Sequence, residues 1–345
     1  MNLRRFLTLA AVALVGFTAA LPSRAEQTRK RMFGVAFYNL ENLFDTINNN
    51  GKYDFEFSPE GSNRWDGNKY WHKINNMAYA ISQFKTKTTP MGPAIIGVSE
   101  VENRSVLEDL VKADAIKDLN LQIVHHDSPD ARGIDVSLLF NPRLFQLINV
   151  TNHRLTTVNF RTRDQMWVVG LLGGKRVGVI VNHWPSRRGG EKSVPSRVAA
   201  AELTKQIVDS LLKVDPNMGV IIMGDLNDDP SNKSCAEVLN AVKNPDKCKP
   251  GGLYNPFWKM LDKGIGSYIY RGGWDLFDQI IVNYNLVNGD AGLKFYDAKV
   301  LNFDFLKQPD GQYKGYPWRT FSGGAWSGGF SDHFPTEIFL IQDVK

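Results

Sequence analysis

The chain has 345 residues, of which 43% are hydrophobic and 22% charged, and its formal net charge is +5 at pH 7. These proportions are typical of a folded globular protein and exclude a low-complexity chain. Three arginines lie in residues 1–25, which hold no acidic residue, so the rest of the chain carries only about +2, too little for a generally basic nucleic-acid-binding surface.

The N-terminus has the pattern of a secretory signal peptide. Arg4 and Arg5 precede an apolar run over residues 6–21, and the small residues Ser23 and Ala25 precede the expected cleavage point. The apolar run is short for a permanent membrane span, although a retained N-terminal anchor is the alternative interpretation. We therefore expect residues 1–25 to be removed and the mature protein to be secreted or periplasmic, without a stable membrane anchor.

Short apolar runs in the first half of the chain predict strands. These strands are expected at Phe33–Tyr38, Ala94–Val98, Val136–Phe140, Trp167–Leu172 and Val177–Val181. Between the first two, Ile74, Met77 and Ile81 recur at helical spacing, which predicts a helix over Lys69–Phe84. The polar, Gly-rich residues 45–68 before that helix indicate a long loop.

The second half of the chain continues this alternation. A second helix is predicted over Val194–Leu212, with Pro195 in its first turn. Further strands are expected at Val220–Met223, Ile280–Val282 and Ile338–Ile341. Residues 244–270 and 303–329 are polar and aromatic, and we expect loops there. Several of these strands are apolar at consecutive positions, which is typical of strands covered on both faces. Together with the alternation of strands and helices, this predicts a layered α/β fold.

Cys235 and Cys248 are the only cysteines of the chain. In an exported protein, two cysteines this close in sequence are most simply joined in a disulfide that closes a short loop. Two unlinked thiols are the alternative. A metal site made by the pair is disfavoured because no histidine lies near them in the sequence.

Polar side chains suited to metal binding or proton transfer stand at the ends of the predicted strands. They are Asn39, Glu100, His183, Asp225 and Asn227, with Asp332 and His333 before the last strand. Any one of them alone is explained by a turn, in which Asn and Asp bond to their own backbone. Together, their carboxylate and amide oxygens suit Mg²⁺, Mn²⁺ or Ca²⁺, and two histidines suit proton transfer. The set predicts a metal-dependent hydrolase.

These motifs and their order resemble the endonuclease/exonuclease/phosphatase superfamily, which includes DNase I-like nucleases, abasic-site endonucleases, sphingomyelinases and inositol-phosphate phosphatases. The matching segments are Tyr38-Asn39, Glu100 after an apolar strand, Gly224-Asp225-Leu226-Asn227, Phe277-Asp278-Gln279-Ile280 and Ser331-Asp332-His333. They extend over residues 33–341, so the resemblance implies one domain over residues 26–345. It implies an α/β sandwich of two packed mixed β-sheets flanked by helices, as in DNase I, and hydrolysis of phosphate esters.

The resemblance also implies roles for individual residues. The metal ligands would be Asn39, Glu100 and Asp332, holding Mg²⁺, with Mn²⁺ or Ca²⁺ as alternatives. The catalytic residues would be His183, Asp225, Asn227, Asp278 and His333. Of these, Asp225 and Asn227 would lie beside the scissile phosphate, and His183 would donate a proton to the leaving oxygen. His333 would contact the phosphate and be oriented by Asp278, so that the charge developing during in-line attack is stabilised.

One departure from the family pattern concerns the metal-binding glutamate. Ser99 stands where the family usually has Gln. Glu102 is a rival to Glu100, because residues two apart on a strand share a face. We favour Glu100 because it directly follows the apolar run.

Three arginines are candidates for binding phosphate. Arg132 lies just before a predicted strand, and Arg187 and Arg188 lie on a Gly-rich loop after His183; ordinary surface arginines are the alternative. We favour a nuclease, whose arginines would contact a nucleic-acid backbone. A phosphatase or phospholipase-like esterase for inositol phosphates, sphingomyelin or other small phosphoesters is the second hypothesis, and an inactive binding module the third. We expect a monomer.

Overall fold

Two mixed β-sheets packed face to face form the centre of the computed structural model, which describes residues 29–49 and 54–344. The strands are β1 Arg29–Leu43, β2 Ile95–Val101, β3 Gln122–His125, β4 Asp135–Phe140, β5 Phe145–His153, β6 Gln165–Leu172, β7 Lys175–His183, β8 Gly219–Asp225, β9 Ala241–Val242, β10 Leu253–Tyr254, β11 Tyr268–Tyr270, β12 Gly273–Asp275, β13 Asp278–Asn283, β14 Lys294–Val300, β15 Phe321–Ser322, β16 Ala325–Trp326 and β17 Thr336–Val344. The six-stranded sheet has the order β14-β17-β1-β2-β4-β3 and the seven-stranded sheet the order β5-β6-β7-β8-β13-β10-β9; β11–β12 and β15–β16 are separate hairpins. The helices are α1 Gly67–Ser82, α2 Arg104–Lys112, α3 Val194–Val214, α4 Trp258–Leu261 and α5 Tyr284–Asn288.

Both sheets are covered on both faces, which explains the consecutive apolar residues of their strands. Side chains such as Phe37, Val179 and Met223 meet between the sheets. On the outer faces, α1 and α2 pack on the six-stranded sheet and α3 packs on the seven-stranded sheet. Burying apolar area in these three layers is the main driving force for the fold. The predicted α/β sandwich with two packed mixed sheets is confirmed.

The two predicted helices are present with small shifts at their ends. The first begins earlier than its periodicity indicated, because the Asp66 side chain accepts a hydrogen bond from the Lys69 backbone N–H at 3.0 Å and caps it. The second begins at Val194 as expected and extends to Val214. None of the helices in residues 29–49 and 54–344 combines the length and apolarity needed to cross a bilayer. The expected signal peptide lies outside the described residues.

The four edge strands of the two sheets and the helices α2 and α5 were not predicted from the sequence. The strands are β3, β5, β9 and β14, and exposed residues recur along β5 and β14. Such strands lack the continuous apolar pattern of the central ones. The helix α2 is short and is capped by Asn103, whose side chain accepts from the Val106 N–H at 3.1 Å. Two of the three segments expected to be loops, residues 244–270 and 303–329, contain short strands and helical turns. The third, residues 45–68, contains a 3-10 turn at Asp54–Phe57 and the first residues of α1.

The two cysteines are free thiols, so the expected disulfide is wrong. Cys235 packs beside α3 on the outer face of the seven-stranded sheet, whereas Cys248 packs in the layer between the sheets. The sheet therefore stands between two residues that are close in sequence. Burial raises the pKa of Cys235 to about 12 and that of Cys248 to about 11, so both thiols stay protonated and unreactive at neutral pH.

Candidate active site

Three polar residues at the end of the seven-stranded sheet stand side by side. The parallel pairing of β7 with β8 places His183 opposite Asp225, and the antiparallel pairing of β8 with β13 places Asp278 on the other side of Asp225. Gly224 permits this arrangement, because it has φ +155° and a Cβ there would lie 2.2 Å from the Asn182 carbonyl oxygen. Neighbouring strands thus place a histidine and two carboxylates next to one another.

The six-stranded sheet brings its own polar residues to the same place. Asn39 ends the regular part of β1 and donates a hydrogen bond from Nδ2 to Asp225 Oδ2 at 3.1 Å, which joins the two sheets. The segment before β17 lies against it, since Ser331 Oγ donates to the Asn39 carbonyl oxygen at 2.7 Å. Asp332 and His333 follow directly. The two sheets therefore contribute to one site.

Glu100 points into this site because the strand is irregular at that residue. Its φ is +61°, and the register of β2 against β4 shifts between Ser99 and Val101. A bulge of this kind redirects a side chain that a regular strand would bury in the sheet. Glu102 is also buried, and its carboxylate accepts from the Asp45 backbone N–H at 2.8 Å. Of the two glutamates, only Glu100 lines the cleft described next.

A cleft of about 690 Å³ lies where the two sheets end; we call it the central cleft. The sequence-predicted residues that line it are Glu100, Arg132, His183, Arg187, Arg188, Asp225, Asn227, Asp332 and His333. Asn39 and Asp278 are buried behind it, in hydrogen bonds to Asp225 and His333 respectively. The structure thus brings all the predicted site residues together.

His333 is held as a cation. Its Nδ1 lies 2.7 Å from Asp278 Oδ2, and that carboxylate also accepts from Ser267 Oγ at 2.5 Å. Burial opposes protonation, but the negative charges of Asp278, Asp225 and Asp332 outweigh it and hold the pKa of His333 well above its usual value. A charged His333 can donate a hydrogen bond to a phosphate oxygen.

His183 is held neutral. Burial and the nearby guanidinium of Arg163 lower the pKa of His183 well below its usual value, although Glu100 opposes them. Its Nε2 lies 3.5 Å from Asp225 Oδ2. Burial also raises the pKa of Asp225 to about 7, against the opposing effect of His333. Two histidines and a carboxylate with separated pKa values can take the different proton-transfer roles of one reaction.

The donor set suits a divalent cation. Glu100 and Asp332 are carboxylates whose charges are balanced by arginines: Arg132 Nη2 lies 3.2 Å from Glu100 Oε2, and Arg319 Nη2 lies 2.5 Å from Asp332 Oδ2. Burial would raise the pKa of each acid, but Arg132 lowers that of Glu100, and His333 and Arg319 lower that of Asp332, so both stay ionised. Two ionised carboxylates beside the Asn39 amide are hard oxygen ligands of the kind that Mg²⁺ and Mn²⁺ prefer.

A second group of potential ligands is better explained by its hydrogen bonds. Ligand atoms of Asp225, Asp278 and His333 lie within 4.8 Å of one another. However, Asp278 Oδ2 is already hydrogen-bonded to His333 Nδ1 at 2.7 Å and to Ser267 Oγ at 2.5 Å. Asn39, Glu100 and Asp332 therefore remain the expected metal ligands.

The structure corrects the expectation for the arginine pair. Arg187 is not a free phosphate-binding side chain, because its guanidinium forms ion pairs with Asp229 at 2.9 Å and Asp275 at 3.1 Å and lies over the Phe277 ring. Arg188 is exposed, and its guanidinium has no hydrogen-bonding partner in the described part of the chain. Of this pair, only Arg188 is available to an anionic ligand.

Three residues of the site were missed by sequence reasoning. Arg163 is buried behind His183, to whose carbonyl oxygen it donates from Nε at 3.1 Å. Arg319 pairs with Asp332, and Tyr268 lies over the His333 ring with centroids 4.7 Å apart. No local pattern marks them, since each is positioned by a segment distant in sequence.

The opposite charge states of the two histidines can be measured. In the metal-free protein, His333 should titrate well above pH 6.5 and His183 well below it, as followed by ¹⁵N NMR of the imidazole rings. The Asp278→Asn substitution should lower the pKa of His333 by about 1 or more, because it removes the adjacent negative charge. Asp297→Asn, on the edge strand β14, serves as the control. A wild-type His333 that titrates near pH 6.5 would contradict the charge assignment.

Comparisons with known proteins agree with this architecture. Residues 34–342 match the model of the Endonuclease/Exonuclease/phosphatase family. A search of curated protein sequences found no significant match.

Solved structures share the fold at low identity. TDP2 from D. rerio, complexed with single strand DNA product, is 12% identical with a TM-score of 0.51, covering 90% of this chain and 98% of that one. An endonuclease/exonuclease/phosphatase family protein from Bacteroides thetaiotaomicron is 16% identical with a TM-score of 0.57, covering 92% and 100%. A mannosyl-6-phosphatase from the same species is 15% identical with a TM-score of 0.54, covering 89% and 99%. The chain therefore belongs to the endonuclease/exonuclease/phosphatase family and is a metal-dependent phosphoric ester hydrolase.

Proposed function

We propose that the protein is a nuclease that hydrolyses phosphodiester bonds of nucleic acid. The observation that carries this proposal is a groove that passes through the site and continues on both sides. The central cleft shares Arg132, Arg163 and Arg188 with a cavity of about 400 Å³ on one side. It shares Tyr268 and Tyr270 with a cavity of about 610 Å³ on the other. A polymer needs a path that both enters and leaves the reactive centre, whereas a small phosphomonoester needs only the centre.

The first side cavity has the charge that a nucleic-acid backbone requires. We call it the basic arm; it is lined by Arg132, Arg161, Arg163, Arg188 and Lys192 among others. Arg161, Arg188 and Lys192 are exposed and form no ion pair within the described residues. Residues 26–345 carry a net charge of only about +2, so these cations are not part of a generally basic surface. Their concentration in one groove therefore supports recognition of phosphates.

The charge states of the site supply a mechanism. His333, charged and oriented by Asp278, donates to a non-bridging phosphate oxygen and stabilises the charge that develops there. Asp225, with a pKa near neutrality, and Asn227 align the attacking water in line with the leaving oxygen. His183 is neutral beside Glu100 and Asp225, so it donates a hydrogen bond from its ring N–H to a phosphate oxygen and is not the proton donor expected from the family resemblance. Asp225 accepts the proton of the attacking water, and solvent protonates the leaving oxygen. A divalent cation held by Asn39, Glu100 and Asp332 would supply further charge stabilisation at phosphorus.

The likeness to solved structures does not distinguish a nuclease from a phosphatase. One neighbour carries a single strand DNA product, and another is a mannosyl-6-phosphatase. The two-sided groove is what favours the nuclease.

Hydrolysis should require a divalent cation and Glu100. Chelation should abolish cleavage of an oligonucleotide, and Mg²⁺ or Mn²⁺ should restore it. Glu100→Gln should lower kcat by about 10²-fold or more, because it removes a charge that the site needs during phosphoryl transfer. Glu102→Gln is the matched control and should keep most of the activity. Full turnover in excess chelator, or a larger loss for Glu102→Gln, would refute the assignment.

Nucleic-acid binding should depend on the basic arm. Replacing Arg161, Arg188 and Lys192 together with Ala should weaken binding to all sequences. When the logarithm of the binding constant for single-stranded nucleic acid is plotted against the logarithm of the salt concentration, the slope should become less steep by about 0.7 for each phosphate that the variant no longer neutralises.

The control for that experiment removes the same charge elsewhere. Arg176, Lys213 and Lys259 are exposed and do not line the groove, so their replacement by Ala should leave the slope unchanged. If the basic-arm variant kept its affinity and slope but lost turnover of a soluble multi-phosphate ester, the phosphatase hypothesis would be preferred.

We also propose that the enzyme acts after export. The support is the N-terminal pattern of Arg4 and Arg5, an apolar run and the small residues Ser23 and Ala25. Mass spectrometry of the protein from the extracellular or periplasmic fraction should find a new N-terminus near Glu26. A full-length chain retained with the cells would contradict export.

A further inference from the structure

The cavity on the other side of the central cleft has no role in the phosphate chemistry derived above. Its volume is about 610 Å³, which lies within the range of ligand-binding pockets. It contacts the reactive centre directly, because Asp332 and Tyr268 line both spaces. We call it the aromatic arm, since Tyr268, Tyr270, Tyr313 and Tyr316 form much of its wall.

A short hairpin lies between the aromatic arm and the central cleft, since its Tyr268 and Tyr270 line both. The strands β11 and β12 pair Tyr268 with Asp275 and Tyr270 with Gly273. The two residues between them, Arg271 and Gly272, have φ +50° and +84°. Two successive positive φ values are the pattern of the tight type I′ turn, whose twist matches that of the strands it joins. The turn type therefore defines the geometry of the hairpin tip, whose residues are exposed to solvent.

The base of the hairpin is attached to catalytic residues. Ser267 donates from Oγ to Asp278 Oδ2 at 2.5 Å, and its carbonyl oxygen accepts from the Phe334 N–H at 2.7 Å. The Tyr268 ring is stacked on Phe277, with centroids 5.3 Å apart and an interplanar angle of 21°. The position of the hairpin is therefore fixed relative to the phosphate-binding His333.

The aromatic arm exposes two tyrosine rings beside other groups that could contact a ligand. Tyr270 is 57% and Tyr313 50% exposed, and the Arg271 guanidinium lies 5.2 Å from the Tyr270 ring centroid. Gln308 and Gln312 line the same cavity, and their side-chain amides form no hydrogen bond within the described residues. Flat rings, a guanidinium and free amides together match a planar ligand that has hydrogen-bonding edges.

We propose that the aromatic arm binds an unpaired nucleobase whose own backbone phosphate occupies the central cleft. The proposal rests on the proposed nuclease function and adds a substrate class to it, single-stranded nucleic acid. Bases in a duplex are already stacked and paired, so only an unpaired base can stack on tyrosines in this way. An acyl chain would require an aliphatic lining, and the amides and guanidinium of this cavity argue against it.

The test compares an ordinary single-stranded oligonucleotide with an abasic one of the same length, which has the same phosphates but no bases. The wild-type enzyme should prefer the ordinary oligonucleotide in kcat/KM. In the double substitution Tyr270→Ala and Tyr313→Ala, that preference should fall about 10-fold or more, mainly through KM, because two stacking surfaces are removed. Tyr270→Phe with Tyr313→Phe keeps the rings and should retain the preference.

Tyr296→Ala is the matched control, because Tyr296 is 60% exposed on β14 and does not line the groove. Saturation-transfer NMR gives a second readout that needs no catalysis. A nucleoside monophosphate should show saturation transfer to its base with the wild-type protein and not with the Ala variant, whereas ribose 5-phosphate should bind both proteins alike.

The outcomes separate the two proposals. If the enzyme cleaves ordinary and abasic strands equally, or if the Ala variant keeps the wild-type preference, the base-binding site is refuted and the nuclease stands. Cleavage of duplex as fast as of single strand would also refute it. If neither oligonucleotide is cleaved while a small phosphodiester is hydrolysed, the nuclease function itself fails, and the base-binding site fails with it.

Discussion

The rest of the structure depends on balancing the negative charge gathered where the two sheets end. Asp225, Asp278, Glu100 and Asp332 are buried or nearly so within one site. An unpaired buried carboxylate is costly, and removing one partner of a buried pair is strongly destabilising. The sandwich is stable with these acids inside because each is matched by a histidine, an arginine or a hydrogen-bond donor from a different segment.

This charge balance extends behind the site to the helix layer. Lys73 of α1 is fully buried, and its Nζ donates to Thr320 Oγ1 at 2.6 Å and to the Phe330 carbonyl oxygen. Glu41 Oε2 lies 3.8 Å away. Burial lowers the pKa of Lys73 to about 8 and raises that of Glu41 to about 7. The buried ammonium thus ties α1 to the segment that carries Asp332 and His333, so the outer helix supports the geometry of the site.

Irregular backbone at the strand ends makes the site possible without weakening the sheets. Glu100 and Asn227 both have positive φ, at +61° and +50°, which is uncommon for residues other than glycine. Glu100 lies at the irregular end of β2 and Asn227 just beyond β8, and each directs a polar side chain into the cleft. The regular strands hold the site in position. The free-energy cost of the positive φ values is confined to single residues, which the surrounding packing holds in place.

The sequence by itself determined the layers, the central strands, two helices and the positions of the polar strand ends, because periodicity and burial are encoded locally. Only the tertiary structure decided which charges became partners. Asn39 meets Asp225 across 186 residues, and Arg187, adjacent to Arg188, is bound by acidic side chains while its neighbour is not. Cys235 and Cys248 likewise pack on opposite faces of one sheet. Such pairings depend on where distant segments are brought by packing, and no local pattern records that.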